Sequence, residues 1–77
     1  MNPDFSLAWY HKGLILSQLK RFEEALSAYD EAIRLDPDYA PVWSDKGFTL
    51  RQLNRFEEAL SAYDAASKRY HSQTSMK

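Results

Sequence analysis

The sequence predicts an all-α fold of two tandem helical hairpins, with about four antiparallel helices. Three observations lead to this prediction. The chain repeats itself at an offset of 34 residues, and aligning 6–39 with 40–73 gives 17 identical positions. The segment RFEEALSAYD occurs unchanged at 21–30 and at 55–64. In each copy the apolar residues recur every three or four positions, as they do on one face of an α-helix.

We expect the four helices at about 5–19, 22–35, 40–53 and 56–70. Successive residues are rotated by about 100° around the helix axis, so residues three or four positions apart share one side of the helix. We expect the side that carries the apolar residues to face the core. The first helix presents six residues there: Trp9, Gly13, Leu16, Leu19, Ala8 and Ile15. The second helix presents Phe22, Ala25, Leu26, Tyr29, Ala32 and Ile33.

The turn of each hairpin needs a residue that closes the first helix. Asn54 tolerates the left-handed backbone conformation that suits this position, whereas Lys20 in the other copy adopts it less readily. If Lys20 declines that conformation, the first two helices would merge into one long helix. Such a merger would provide a hinge for exchanging helices between two copies of the chain.

Two glycines lie inside predicted helices. Gly13 and Gly47 each cost roughly 1 kcal/mol relative to alanine at such a position. This cost is best explained by the close approach of a bulky side chain from the facing helix. We expect Tyr29 and Tyr63 to be those side chains.

Composition and charge argue against several classes of function. Ten Lys and Arg against eleven Asp and Glu give a net charge of −1, so we expect neither a nucleic-acid partner nor an anionic membrane partner. The chain has no cysteine, no signal-like start and no apolar stretch of membrane-spanning length, which together favour a cytoplasmic protein. His11 and His71 are far apart in sequence, and no other residues form a ligand set, a nucleophile with its base, or a phosphate loop. We therefore expect no metal, no cofactor and no catalytic residues, and conclude that the chain is not an enzyme.

Two sets of residues resemble the tetratricopeptide repeat signature. The first set is Trp9-x2-Lys12-Gly13-x2-Leu16, Ala25-x3-Tyr29, Ala32 and Pro37, and the second is Trp43, Gly47, Leu50, Ala59, Tyr63 and Ala66. The resemblance covers residues 6–73. Lys12 and Lys46 depart from it, because the family often has Leu there, and we expect their aliphatic stems to lie along the core edge. His71 stands where the family has a proline that ends the unit.

The resemblance implies a right-handed stack of helix pairs whose first helices line a concave groove for a peptide or helix of a partner protein. The residues expected to line this groove are Tyr10, His11, Leu14, Ser17, Ser44, Asp45, Phe48 and Arg51. Members that bind acidic C-terminal tails of chaperones use Lys and Asn on this face. Tyr10, Leu14 and Asp45 occupy the matching places here, which argues against that specificity. Tyr10, Leu14 and Phe48 instead indicate an apolar ligand surface, to which Arg51 and Asp45 add weak polar direction.

The two ends of the chain differ. Residues 1–5 align with the loop that ends the first unit, so they resemble the end of a preceding repeat, while 74–77 form a polar tail. Ser67 and Arg69 replace the apolar Ile33 and Leu35, as expected at the terminus of an array.

Two repeats with uncovered ends expose apolar surface, and about three are usually needed for stability. Leu60 and Tyr63 form the expected self-association face of a homodimer, made by end-to-end stacking or by helix exchange. Two functions stay open. The chain is either an adaptor that binds a protein partner in its groove, or a structural unit that assembles with itself and has no separate ligand.

Overall fold

Four helices make up the part of the chain that the computed structural model describes, which is the backbone of residues 3–74 and the side chains of residues 5–71. They are α1 (Pro3–Gln18), α2 (Phe22–Leu35), α3 (Ala40–Gln52) and α4 (Phe56–Thr74). Helix α1 packs against α2 and α3 packs against α4, while α2 also contacts α3. The predicted all-α fold is confirmed, and the internal helix ends lie close to their predicted positions.

The outer helix ends extend further than the sequence predicted. Helix α1 already begins at Pro3, because the fixed φ of proline suits the first turn of a helix. Residues 3–5 are therefore helical, although they align with residues 37–39 of the loop between the units. Helix α4 continues to Thr74, so the polar segment after Tyr70 is largely helical. Residues 1–2 and 75–77, which include most of the predicted tail, lie outside the described residues.

Both hairpin turns close in the same way. Lys20 and Asn54 adopt φ values of 63° and 62°, in the left-handed region. In the first turn the Arg21 amide donates to the Leu16 carbonyl at 2.9 Å, and the Lys20 amide donates to the Ser17 carbonyl at 2.9 Å. This pair of bonds is the Schellman motif, which satisfies carbonyls at the end of a helix. Lys20 thus takes the conformation that we considered less favourable for it, and α1 and α2 remain separate helices.

Exchanging the two turn residues tests the strain at Lys20. We expect Lys20→Asn to raise the free energy of unfolding by about 0.5–1 kcal/mol, because asparagine visits the left-handed region more readily than lysine. Asn54→Lys is expected to lower it by a similar amount. Both side chains are exposed, so neither change removes a buried contact. Thermal unfolding should show opposite shifts in Tm, and shifts in the same direction would contradict this account.

The core lies between the two helices of each hairpin and between α2 and α3. One buried cluster contains Ala25, Tyr29, Ala32 and Val42, and the other contains Leu26, Leu50, Ala59 and Ala62. The glycines lie where the sequence predicted them to be needed. A Cβ on Gly13 would lie 2.5 Å from Cε1 of Tyr29, and one on Gly47 would lie 3.0 Å from Cδ1 of Tyr63.

Part of the predicted core of α1 is exposed instead. Ile15 and Leu19 are 58% and 60% exposed, and Ala8 is exposed as well. The equivalent of Ile15 in the second unit, Thr49, is fully buried because α2 lies beside α3. Among the described residues no helix occupies the corresponding place beside α1. Ser6 is buried although we did not assign it to the core, and its hydroxyl donates to the Ala32 carbonyl at 3.1 Å.

Candidate functional site: the α1/α3 face

A hydrogen bond joins the first helices of the two units. The Tyr10 hydroxyl in α1 donates to Oδ2 of Asp45 in α3, and both side chains are partly buried. The Thr49 hydroxyl, one turn later in α3, donates to the Asp45 carbonyl at 3.0 Å. The bond between Tyr10 and Asp45 joins α1 and α3 into one continuous surface. We call it the α1/α3 face and define it by five of the predicted groove residues: Tyr10, His11, Asp45, Phe48 and Arg51.

Aromatic rings support Tyr10 from below the face. Its ring meets that of Tyr39 edge-on at 5.7 Å between centroids and lies 6.1 Å from that of Tyr29. Burial, the hydrogen bond to Asp45 and the charge of that carboxylate raise the pKa of Tyr10 well above its ordinary value. The hydroxyl therefore stays protonated beyond the pH at which an ordinary tyrosine ionises, and it continues to donate to Asp45.

Tyr29 lies beneath the same contact. Burial, together with the charge of Asp45, raises the pKa of Tyr29 to about 12, and hydrogen bonding with Thr49 and Ser17 opposes the shift. Ser17, a predicted groove residue, is therefore engaged with the core tyrosine. The rings of Tyr10 and Tyr29 and the carboxylate of Asp45 thus form one cluster, which holds α1 against α3.

Three side chains of the α1/α3 face are exposed to solvent and available to a ligand. His11 is exposed, and its ring stacks on that of Tyr10 with centroids 5.9 Å apart. Phe48 is 44% exposed, so part of a large apolar ring is in contact with solvent. Arg51, almost one turn beyond Phe48, is exposed and forms no ion pair within residues 5–71. An apolar ring and a cation thus stand side by side.

The remaining predicted groove residues are placed differently. Leu14 is partly buried and packs against the core cluster around Tyr29. Ser44 lines a cavity of ≈ 390 Å³ between α3 and α4, together with Tyr63 and the last turns of α4. Asp45 lies in the face, but its carboxylate already accepts the Tyr10 hydrogen bond. The helical wheel did not reveal this bond, because it shows each helix without its neighbour.

Besides the cluster around Val42, α2 makes three further contacts with the second hairpin. Leu26 packs in a buried cluster with Leu50 of α3 and alanines of α4. Asp30 pairs with Lys46 at 2.8 Å, and Glu23 pairs with Arg55 at 3.6 Å. Arg34, four residues after Asp30 in α2, pairs with Glu31 instead. In α4, the equivalent of Asp30, Asp64, pairs with Lys68 at 4.0 Å.

The lysines that depart from the family pattern lie over tryptophan rings. Nζ of Lys12 is 5.1 Å from the centre of the Trp9 ring, and Nζ of Lys46 is 5.6 Å from that of Trp43. Lys46 is partly buried while its ammonium reaches Asp30, as expected of a stem that lies along the core edge.

Arg69 has a structural role that the sequence did not indicate. Its guanidinium lies 4.5 Å from the centre of the Trp43 ring, and its Nε donates to the Pro37 carbonyl at 2.7 Å. Trp43 Nε1 donates to the same carbonyl at 2.8 Å. Arg69 therefore does not simply mark the loss of an apolar residue at the equivalent of Leu35. It ties α4 to the turn between the two units.

Two similar helical hairpins that pack side by side define a helical repeat protein. Residues 6–39 match a family model described as tetratricopeptide repeat, and residues 28–61 match a second model with the same description. The chain therefore belongs to the tetratricopeptide repeat family and contains two tandem repeats. Repeats of this family generally act as protein–protein interaction modules. The comparison with curated proteins found no matching sequence.

Two further observations concern other kinds of site. None of the helices described is both long and apolar enough to cross a bilayer. Within the same part of the chain, no group of three or more His, Asp or Glu side chains is arranged to hold a metal ion.

Proposed function

We propose that the α1/α3 face binds a peptide segment of another protein. The observation that carries this proposal is the Tyr10–Asp45 hydrogen bond, which joins the two first helices into one surface. Because both hydrogen-bonding groups, the Tyr10 hydroxyl and the Asp45 carboxylate, belong to this chain, the surface is formed before a partner binds. A preformed surface lowers the ordering cost of binding.

The exposed groups on the face suggest the chemistry of the peptide. Phe48 offers an apolar ring, and burying it against an apolar side chain removes unfavourable surface from water. Arg51 offers a guanidinium without an ion-pair partner among the described residues, which suits a carboxylate. The proposed ligand is therefore a peptide with an apolar anchor residue next to an acidic one.

Selection from a displayed library of random peptides tests this function. The immobilised protein is expected to enrich sequences that contain an apolar residue close to Asp or Glu. Phe48→Ala should weaken binding of a selected peptide at least tenfold, or about 1.4 kcal/mol. Arg51→Ala should weaken binding of the acidic peptides more than that of variants whose acid has been neutralised.

Phe56 provides a matched control. It is an exposed phenylalanine at the start of α4 and lies outside the α1/α3 face. Phe56→Ala is expected to leave peptide affinity unchanged. Equal losses for Phe48→Ala and Phe56→Ala, with both variants folded by circular dichroism, would refute the α1/α3 face as the binding surface.

A further inference from the structure

The contacts between the two hairpins have equivalents one repeat away on either side, and no described residue occupies them. On the α2 side of the internal interface stand Glu23, Leu26 and Asp30, and on the other side stand Arg55, Leu50 and Lys46. Shifting the first set by one repeat gives Glu57, Leu60 and Asp64 on α4. Shifting the second set back by one repeat gives Arg21, Leu16 and Lys12 on α1 and the turn after it. All six residue types are unchanged.

No helix in the described part of the chain covers these two sets of equivalents. On α4, Leu60 is 71% exposed, whereas Leu26 in the same position of α2 is 7% exposed. On the α1 side, Leu19 is 60% exposed, whereas its equivalent Leu53 is partly buried against the Leu26 cluster. The difference between each pair is the presence or absence of the neighbouring hairpin. We call the first surface the α4 end face (Glu57, Leu60, Asp64) and the second the α1/α2 end face (Lys12, Leu16, Leu19, Arg21).

The charges of the two end faces are complementary. Arg21 pairs with Glu24 at 2.6 Å just as Arg55 pairs with Glu58 at 2.7 Å, but Arg55 also reaches Glu23 of the neighbouring hairpin. Within the described residues Arg21 has no such second acid. Glu57 of the α4 end face is the equivalent of Glu23 and has the required charge.

The lysine on the α1/α2 end face shows the same pattern. Lys12 lies over the Trp9 ring as Lys46 lies over that of Trp43, yet only Lys46 also has an acid from the next hairpin, Asp30 at 2.8 Å. Asp64 on the α4 end face is the equivalent of that acid. Asp64 itself pairs with Lys68 at a long distance of 4.0 Å, and both groups are highly exposed. This pair is weak, so Asp64 can leave Lys68 for a lysine of another copy at little cost.

The α1/α2 end face also contains a cavity that the α4 end face of another copy can enter. A cavity of ≈ 460 Å³ opens between α1 and α2, and its lining includes Lys12, Leu16 and Arg21. The equivalent cavity between α3 and α4, next to the docked α2, measures ≈ 240 Å³. The uncovered site is thus the larger one.

We propose that copies of this chain stack head to tail, with the α4 end face of one copy on the α1/α2 end face of the next. Leu60 then takes the place of Leu26, and the pairs Asp64–Lys12 and Glu57–Arg21 form between copies. This interface is heterologous, since each copy uses two different surfaces, and it generates an open series rather than a closed dimer. It therefore differs from the homodimer considered from the sequence, and it is independent of the peptide-binding proposal.

The interface between copies is weaker than the one inside the chain. The fully buried Val42 of the internal interface corresponds to Ala8, and Ile33 corresponds to Ser67, so less apolar surface is available. The two hairpins of one chain are also held together covalently, which raises their effective concentration. Stacking is accordingly reversible and depends on protein concentration.

Two single substitutions that block opposite faces give the test. Leu60→Asp blocks the α4 end face, and Leu19→Asp blocks the α1/α2 end face; both side chains are largely exposed, and circular dichroism checks that each variant is folded. Light scattering from about 10 μM to about 1 mM is expected to show a wild-type mass that rises steadily above the monomer mass of 9.0 kDa. Each variant alone should stay monomeric. An equimolar mixture should form a complex of twice the monomer mass and nothing larger, because one intact α4 end face meets one intact α1/α2 end face.

Phe48→Ala is the matched control, because it removes an exposed ring that lies outside both end faces. At each protein concentration, light scattering should give this variant the same association state as the wild type. A wild type that stays monomeric at about 1 mM would overturn the proposal, and so would a mixture of folded variants that does not associate. A mass that saturates at two copies in the wild type would also overturn it in favour of a closed dimer.

Discussion

Leu26→Ala is expected to lower the free energy of unfolding by about 2–5 kcal/mol. Leu26 is almost completely buried and belongs to one cluster with Leu50, Ala59 and Ala62, so a side chain of the first hairpin is buried against the second. Its truncation removes apolar contacts and leaves a cavity that the neighbouring alanines are too short to fill. Chemical denaturation followed by circular dichroism measures the loss.

Leu60→Ala is the control, because Leu60 occupies the same place in the repeated ten-residue segment but is largely exposed. At protein concentrations where the chain is monomeric, this change should alter the free energy of unfolding by no more than about 0.5 kcal/mol. Equal losses for the two variants would show that the stability of the chain does not depend on the contact between hairpins.

Gly13→Ala is expected to lower the free energy of unfolding by about 1–3 kcal/mol. Alanine is the better helix former by roughly 1 kcal/mol, so propensity alone predicts the opposite sign. The added Cβ would lie 2.5 Å and 2.6 Å from Cε1 and Cδ1 of Tyr29, whose ring is buried in the cluster with Val42 and cannot move aside. Steric overlap therefore outweighs propensity.

The second repeat supplies the comparison. A Cβ on Gly47 would lie 3.0 Å from the ring of Tyr63, which is only partly buried and has room to shift. Gly47→Ala should stay within about 1 kcal/mol of the wild type, because the gain in helix propensity offsets a small adjustment. If Gly13→Ala proves as stable as Gly47→Ala, the close approach of Tyr29 is not what excludes a side chain at residue 13.

Repetition made the hairpins predictable. Because 21–30 and 55–64 are identical, whatever fold suits one segment must also suit the other, and the helical period left little choice. The contact of each glycine with a tyrosine followed from the energetic cost of glycine in a helix. The helical wheel was wrong for Ile15 and Leu19, because it assumed that every apolar arc is covered, and no described helix lies beside that part of α1.

The contacts of the α1/α3 face were only partly predictable. The helical wheel placed Tyr10 and Asp45 on equivalent arcs, yet their hydrogen bond depends on how far the two hairpins are rotated against each other. That rotation results from side chains such as Leu26 and Asp30, which act between units. Periodicity within one helix contains no information about it. The place of Arg69 over Trp43 was hidden for the same reason, since these residues belong to different helices.

The shared carbonyl of Pro37 has a mechanical consequence. Trp43 and Arg69 both donate to this oxygen, so the peptide between the hairpins is fastened to the start of α3 and to the far end of α4. Pulling this peptide away from the second hairpin would stretch both bonds at once, and separating α3 from α4 would pull the guanidinium off the indole ring. The turn between the repeats is therefore fastened to the second hairpin, and a force applied to α4 is transmitted directly to this turn.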